Sequence, residues 1–235
     1  MSTTYRPEYL PTTRQIRDTF AEAIASLGGE VPDAYHDGHR LFARAVLRAA
    51  AEVRPGDRIR GGVAVRADGV GIQVHPFTFR KVCSNGAIAA HALETRRIER
   101  VESTEVFAPS YDVAVILAEL RLAIEGCAAP EAFERTTNEM RSAAEVQADV
   151  ALQLLPAIAN LPQRMAASVL PLIFQRFAAD EDRSAFGLLN AVTSVARDTP
   201  DPEMRWRLEE LGATIPTRLQ QRPRVGPSVS ALAGV

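Results

Sequence analysis

The chain has 235 residues, 46% of them hydrophobic and 24% charged, with a formal net charge of −2. This is ordinary globular composition, long enough to bury one large core or two small ones, and its near-neutral charge excludes any overall attraction to nucleic acid or membrane, so such binding has to come from local clustering. No apolar run approaches the ~20 residues of a membrane span, the first twenty residues lack a secretory apolar core, and Cys83 and Cys127 make neither a disulfide framework nor a zinc site; the expectation is a cytoplasmic protein with no membrane association, cofactor or metal.

The first element is a helix. In "TTRQIRDTFAEAIASLGG" Thr12 or Thr13 is placed to cap, Ile16, Phe20, Ile24 and Leu27 recur at helical spacing, and Gly28-Gly29 ends the run. "EVPDAYHDGHRLFARAVLR" then reads as a hairpin around Asp37-Gly38, with a helix over "RLFARAVLRAAAEV" as the alternative. After the "RPGD" break comes the strongest β region, with two further turn signals, Asp68-Gly69 and Asn85-Gly86.

With two central residues per turn, Val65 faces Ile72, Val63 faces Val74, Cys83 faces Ile88, Arg80 faces His91 and Phe79 faces Ala92. Ile72 and Val74 then share one parity, and Phe77 and Phe79 share the other. A β-bulge at Pro76 would turn all four inward and leave Gln73, His75, Thr78 and Arg80 on a wetter face.

From Pro109 the pattern turns helical. Val113, Leu117, Leu120 and Ile124 form one stripe, stopped at Gly126. "PEAFERTTNEMRSAAEVQADVALQLL" reads as one long helix, "PQRMAASVLPLIFQRFAAD" as a helix containing Pro171, and "RSAFGLLNAVTSVARD" and "PEMRWRLEELG" as two more. Met165, Val169, Leu172 and Phe177 read as core or a dimer face, and Asn190 and Thr193 as polar groups bonding backbone or a neighbouring helix, with a ligand-facing role as the alternative. The fold class is α+β: an N-terminal helix and antiparallel β-meander over 1–108, a helical half over 109–215 packed on it as one domain, and a flexible tail over 216–235.

Charge is unevenly placed. Between Arg54 and Arg100 stand nine basic residues, eight of them arginine, against four acidic ones, a local balance of +5 that leaves the remainder of the chain near −7. A basic sheet is one electrostatic footprint of nucleic-acid binding; solvated strand edges protected by charge produce the same count. The two phenylalanines read as inward, so phosphate contacts would dominate over base stacking. His36-Asp37-Gly38-His39 sits at a turn with no second ligand pair, Cys83 reads as a small core residue beside Ile88, and no nucleophile elbow, phosphate-cradling glycine loop or HExxH is present.

Within "GVAVRADGVGIQVHPFTFRKVCSNGAIAAH", Phe79, Arg80, Val82, Cys83, Ser84, Asn85 and Gly86 match a V-C-[ST]-N-G pattern, and "GLLNAVTSVARD" carries an N-A-x-T. In these motifs the chain resembles the phage- and plasmid-like family catalogued as domain of unknown function number 932. The helix, meander, helix order is also similar to single-strand annealing recombinases of the phage Red-beta type, an analogy of fold alone. The resemblance implies a mobile-element protein, assembled as a homo-oligomer, that holds single-stranded DNA during recombination or replication. In that reading Arg60, Arg66, Arg80, Lys81, Arg96 and Arg97 contact phosphates, and Asn85 and Gly86 set the structural turn that positions them. The alternative is a non-enzymatic protein-interaction or regulatory module built on the helical half, without nucleic-acid affinity. A third reading is a metal-dependent enzyme using His36 and His39.

Overall fold

The structure is a computed structural model that describes residues 2–5, 10–80, 85–89, 94–100 and 113–218. Seven strands form one sheet: β1 (Ser2–Tyr5), β2 (Glu30–His36), β3 (Leu41–Arg54), β4 (Asp57–Ala67), β5 (Gly71–Arg80), β6 (Asn85–Ile88) and β7 (Arg96–Arg100). Their order is β1-β7-β5-β4-β3-β2, with β6 also on β5. The ladders are antiparallel apart from β1, which runs parallel to β7 at the edge. Helices α1 (Thr13–Ser26), α2 (Val113–Ala128), α3 (Pro130–Ala144), α4 (Val150–Gln153), α5 (Leu155–Ile158), α6 (Gln163–Ala179), α7 (Ala185–Arg197) and α8 (Pro202–Arg218) complete the α+β architecture.

The first helix follows from its sequence. Thr12 caps it in a reciprocal capping box with Gln15, and Gly28 takes φ +68° just past its end. Ile16, Phe20, Ala23 and Ile24 face the sheet; Leu27 is exposed. The segment "RLFARAVLRAAAEV" is strand β3, so the hairpin reading holds and the helical alternative does not. Gly38 at φ +88° and Gly56 at φ +82° turn the chain at the ends of β2–β3 and β3–β4.

Both faces of the sheet are buried, which explains the parity puzzle in β5. One face presents Leu41, Ala43, Ala45, Val63, Val65, Ile72 and Val74 to α1 and α2. The other presents Phe42, Val46, Ala64, Phe77 and Ile88 to Trp206 of α8. β5 stays in continuous register with β4 from Ile59↔Arg80 to Ala67↔Ile72, so there is no bulge at Pro76, and Phe77 and Phe79 lie on the face opposite Ile72 and Val74. Pro76 sits where the outer side of β5 changes partner, from β7 at Val74 to β6 at Phe77. The bulges fall instead in the β2–β3 and β3–β4 ladders.

Two hairpin registers differ from expectation. Val65 pairs with Val74 and Ala67 with Ile72, two residues from the expected alignment but on the same face. Asp68 is responsible: its carboxylate accepts from Val70 N (2.8 Å) and Gly71 N (3.3 Å), while its own N–H donates to Gly71 O (3.0 Å), moving the two central residues to Gly69-Val70. Asn85 and Gly86 are not the turn: they open β6, opposite Arg80 and Phe79. The connecting residues 81–84, including Lys81 and Cys83, lie outside the described residues, as do His91 and Ala92.

In the helical half, α2 runs past Gly126 to Ala128 and buries Ile116, Leu120, Ala123, Ile124 and Cys127. The expected long helix breaks after α3, where Ala148 N donates to Arg183 O and Asp149 caps α4. Helix α8 is longer than expected and contains Pro216. A core of α3 to α8 closes over Val53, Ile59 and Ala87 of the sheet; each fully buried Leu, Ile or Phe contributes about 1.5–3 kcal/mol. Met165 and Val169 belong to it with Ile173, whereas Leu172 is 48% exposed. Among the described residues no helix is long and apolar enough to cross a membrane.

Candidate functional site

Of the six cations expected to meet phosphate, Lys81 lies outside the described residues, and three of the other five are held by acids of the chain itself. Arg60 and Arg66 lie on β4 and Arg80 on β5, where it pairs opposite Ile59 rather than beside Arg66. Arg80 grips Asp57 through two contacts, Nε to Oδ1 at 2.6 Å and Nη2 to Oδ2 at 2.8 Å, and its guanidinium lies 5.6 Å from the Phe186 ring centre. Arg66 bonds Asp68 and Glu203, each at 3.0 Å, over the ring of Phe42. Arg60 donates to Leu47 O (2.9 Å) and pairs with Glu30 (3.0 Å). Arg96 is half-buried and donates to Thr95 O, and Arg97 is exposed.

The uneven charge along the chain is in part answered by pairing. The acids that answer the basic window come largely from outside it: Glu30 from β2, Asp182 from the α6–α7 connection and Glu203 from α8. Arg54 reaches from the end of β3 to Asp182 (2.8 Å), Ser184 Oγ (3.0 Å) and the Ala144 carbonyl, tying the end of α3 to the start of α7. Three acids from outside the window are thus bound to arginines inside it, and Asp57 and Asp68 answer two from within.

The most buried charges are ones the basic window does not contain. Arg44, in the middle of the apolar run "LFARAVL", is 3% exposed; its Nε donates to Glu209 Oε2 at 2.6 Å and its Nη1 to Asp33 at 3.0 Å. Arg205 joins the same two acids, at 3.0 Å to Asp33 and 3.2 Å to Glu209. Burial pushes the Glu209 carboxyl up from its usual range, against the pull of Arg44 and Arg205. Next to it Trp206 is fully buried; its indole N–H donates to Glu210 Oε1 at 2.8 Å, and its ring centre is 5.7 Å from that of His75. The Glu210 carboxyl is also raised, chiefly by burial. The signal for this cluster was a lone arginine in an apolar strand, which demands a partner.

The segments that carried the family motifs do meet. Thr78, Arg80, Gly86 and Ala87 line one side of a cavity of about 10 Å³, and Phe186, Asn190 and Thr193 of α7 line the other, the room of a single water. Thr193 donates to the Leu189 carbonyl, as the structural reading expected. A Cβ at Gly86 would stand 2.2 Å from the Phe77 ring, so this glycine answers a close approach and not a turn.

Other candidates have structural partners. His36 Nε2 is 2.8 Å from Thr13 Oγ1, the His39 amide donates to Asp37, and among the described residues no group of three or more His, Cys, Asp or Glu could hold a metal. Burial pushes the Cys127 thiol up to about 12. Away from the sheet, Leu152, Leu155, Leu172 and Phe174 of α4 to α6 are 41–48% exposed. A groove of about 320 Å³ runs between α6 and α7, floored by Leu172, Ala179 and Val195 and rimmed by Arg176 and Asp198, 2.9 Å apart. No family model, no curated protein and no solved structure matches the chain.

Proposed function

We propose that this chain is a binding module without catalytic chemistry of its own, and that what it binds is another protein, through the helical half. The observation that carries this reading is the exposure of Leu152, Leu155, Leu172 and Phe174 on α4 to α6, with Leu172 lining the α6–α7 groove, since apolar side chains left in water beside a groove suit a protein-binding surface. The α6–α7 groove, with its apolar floor and paired Arg176–Asp198 rim, suits an amphipathic helix whose apolar face enters between the two helices. A second copy of the chain would be one such partner. The test is capture with the intact protein and with Leu172→Asp/Phe174→Asp, alongside sedimentation of both. A partner or self-association lost in the variant supports the reading; retention by both forms overturns it.

Single-stranded DNA binding by a mobile-element protein is the second reading. It rests on the resemblance, on the arginine excess of 54–100 and on exposed sheet cations within it, Arg58 on β4 and Arg97 on β7. With Arg60, Arg66 and Arg80 held by acids, Arg97→Glu is the variant that separates it from the first. Oligonucleotide affinity that falls in Arg97→Glu with unchanged thermal stability favours DNA; absence of affinity in the parent protein excludes it.

A further inference from the structure

Helix α6 is covered on one side only. Met165, Val169 and Ile173 bury one stripe of it. On the opposite face Ala167, Pro171, Phe174 and Ala178 are all exposed, at the alternating four- and three-residue spacing of a helix-pairing seam. The composition of α6 does not suit water. Over Gln163–Ala179 it holds two charges, Arg164 and Arg176, and no acid. A solvated helix face is ordinarily charged, whereas the core of a protein interface is depleted of charge. Arg176 is turned to Asp198 of α7, 2.9 Å away, on the groove side and not the seam.

The two ends of α6 differ in charge. Arg164 is exposed in the first turn, and exposed Asp180 and Glu181 follow the last. Arg183 donates to the Phe177 and Ala178 carbonyls and so caps the helix end, and Asp182 pairs with Arg54. Two parallel copies of α6 would set Arg164 against Arg164 and acid against acid; two antiparallel copies set each Arg164 beside the acids of the other. A two-fold axis midway between Pro171 and Phe174 does this with the seam in register: Pro171 meets Phe174, Ala167 meets Ala178 and Arg164 meets Glu181, each pair repeated by the symmetry.

We propose that α6 is a self-association surface, on which a second copy of the chain lays its own α6 antiparallel about this two-fold. The inference rests on the reading that the helical half binds protein, and it names the partner. Phe174 is the anchor, covered by Pro171 of the second copy, and the short side chains of Ala167 and Ala178 let the two backbones approach. At about 25 Å long, α6 makes a small interface, and the dimer is a weak one.

The test is sedimentation equilibrium of the full chain across micromolar concentrations at low salt, where surface charge is least screened. The parent protein should dimerise and Phe174→Asp should not. Arg164→Glu alone and Glu181→Arg alone should each weaken the dimer about 5- to 25-fold, because an exposed pair is worth a factor of up to about five and the two-fold repeats it. Combined in one chain, the two changes should restore it. All three side chains are exposed, so the variants should melt with the parent. A dimer that survives Phe174→Asp, or a double charge swap no tighter than either single variant, overturns the antiparallel two-fold. A parent protein that stays monomeric overturns it as well. If that monomer captures a different protein and loses it in Leu172→Asp/Phe174→Asp, the broader reading stands; if it captures nothing, both fall.

Discussion

Replacing Arg44 by leucine should be among the most damaging single changes to this fold. The guanidinium and the Glu209 carboxylate it meets are 4% and 2% exposed as side chains, 2.6 Å apart. Removing one member of such a buried pair leaves the other uncompensated, at about 3–5 kcal/mol. Arg205 still reaches Glu209 at 3.2 Å, so the low end applies: about 3 kcal/mol, or roughly 6–12 °C in melting temperature for a chain of this size. Arg44→Leu/Glu209→Leu removes both charges, leaves Arg205 to Asp33, and should regain at least about 1.5 kcal/mol of the summed single costs. Acid should help the single variant. The Glu209 carboxyl is already raised above its ordinary 4.5 by burial, and losing Arg44 raises it further. The folded form then holds a proton more tightly than the unfolded chain, so stability is favoured at low pH and lost as pH rises from about 4.5 through the raised value. The Arg44→Leu deficit should therefore be smaller at pH 5 than at pH 8 in urea denaturation. Additive single costs, or a cost for Arg44→Leu below about 1 kcal/mol as for an exposed pair, would refute the reasoning.

Gly86→Ala should destabilise by about 1–3 kcal/mol by overpacking, because the new methyl stands 2.2 Å from the Phe77 ring; Phe77→Leu in the same chain should relieve most of it, and a loss unaffected by Phe77→Leu counts against the packing account. In a Cys83→Ser background Cys127, pushed up to about 12 by burial, should stay unreactive to a thiol reagent at pH 8 until denaturant is added; rapid native labelling contradicts its placement. The Asp37 carboxyl is held far below its usual range, first by the Arg40 amide and then by the Arg40 side chain. Its contribution is present above pH 3.8 and is lost as pH falls, so amide exchange at His39 and Arg40 should quicken in acid and in Asp37→Ala; unchanged exchange speaks against the turn's dependence on it.

What the sequence made legible was mostly local. The capping box at Thr12 and the stop at Gly28 depend on neighbours a few positions away, and α1 follows them. Strand alternation placed Val63, Val65, Ile72 and Val74 on one face correctly, although the Asp68 side chain moved the register by two. The second half of β5 is not legible in this way because a sheet buried on both faces loses its apolar-polar alternation; with α8 covering the second face, Phe77 needs no bulge at Pro76 to be buried. The break after α3 depends on an isolated bridge between Gln147 and Ser184 that no periodicity announces. The long-range ion pairs carry no local signal. Arg44 and Glu209 are 165 positions apart, and Arg54 and Asp182 are 128 apart, so a count of charges along the chain does not show which of them pair.

The measurement that bears most directly on the central claim, that Arg60, Arg66 and Arg80 are partners of the chain's own acids, is binding of a fluorescent single-stranded oligonucleotide to the intact protein over a salt series. Six phosphate contacts from Arg60, Arg66, Arg80, Lys81, Arg96 and Arg97 would give a slope of about 4 in log affinity against log salt, at about 0.7 for each phosphate on a single strand. With Arg60, Arg66 and Arg80 bound internally, the account predicts weak affinity and a slope of about 2 or less. Tight binding with a slope near 4, lost in folded Arg66→Glu and Arg80→Glu variants, would contradict it.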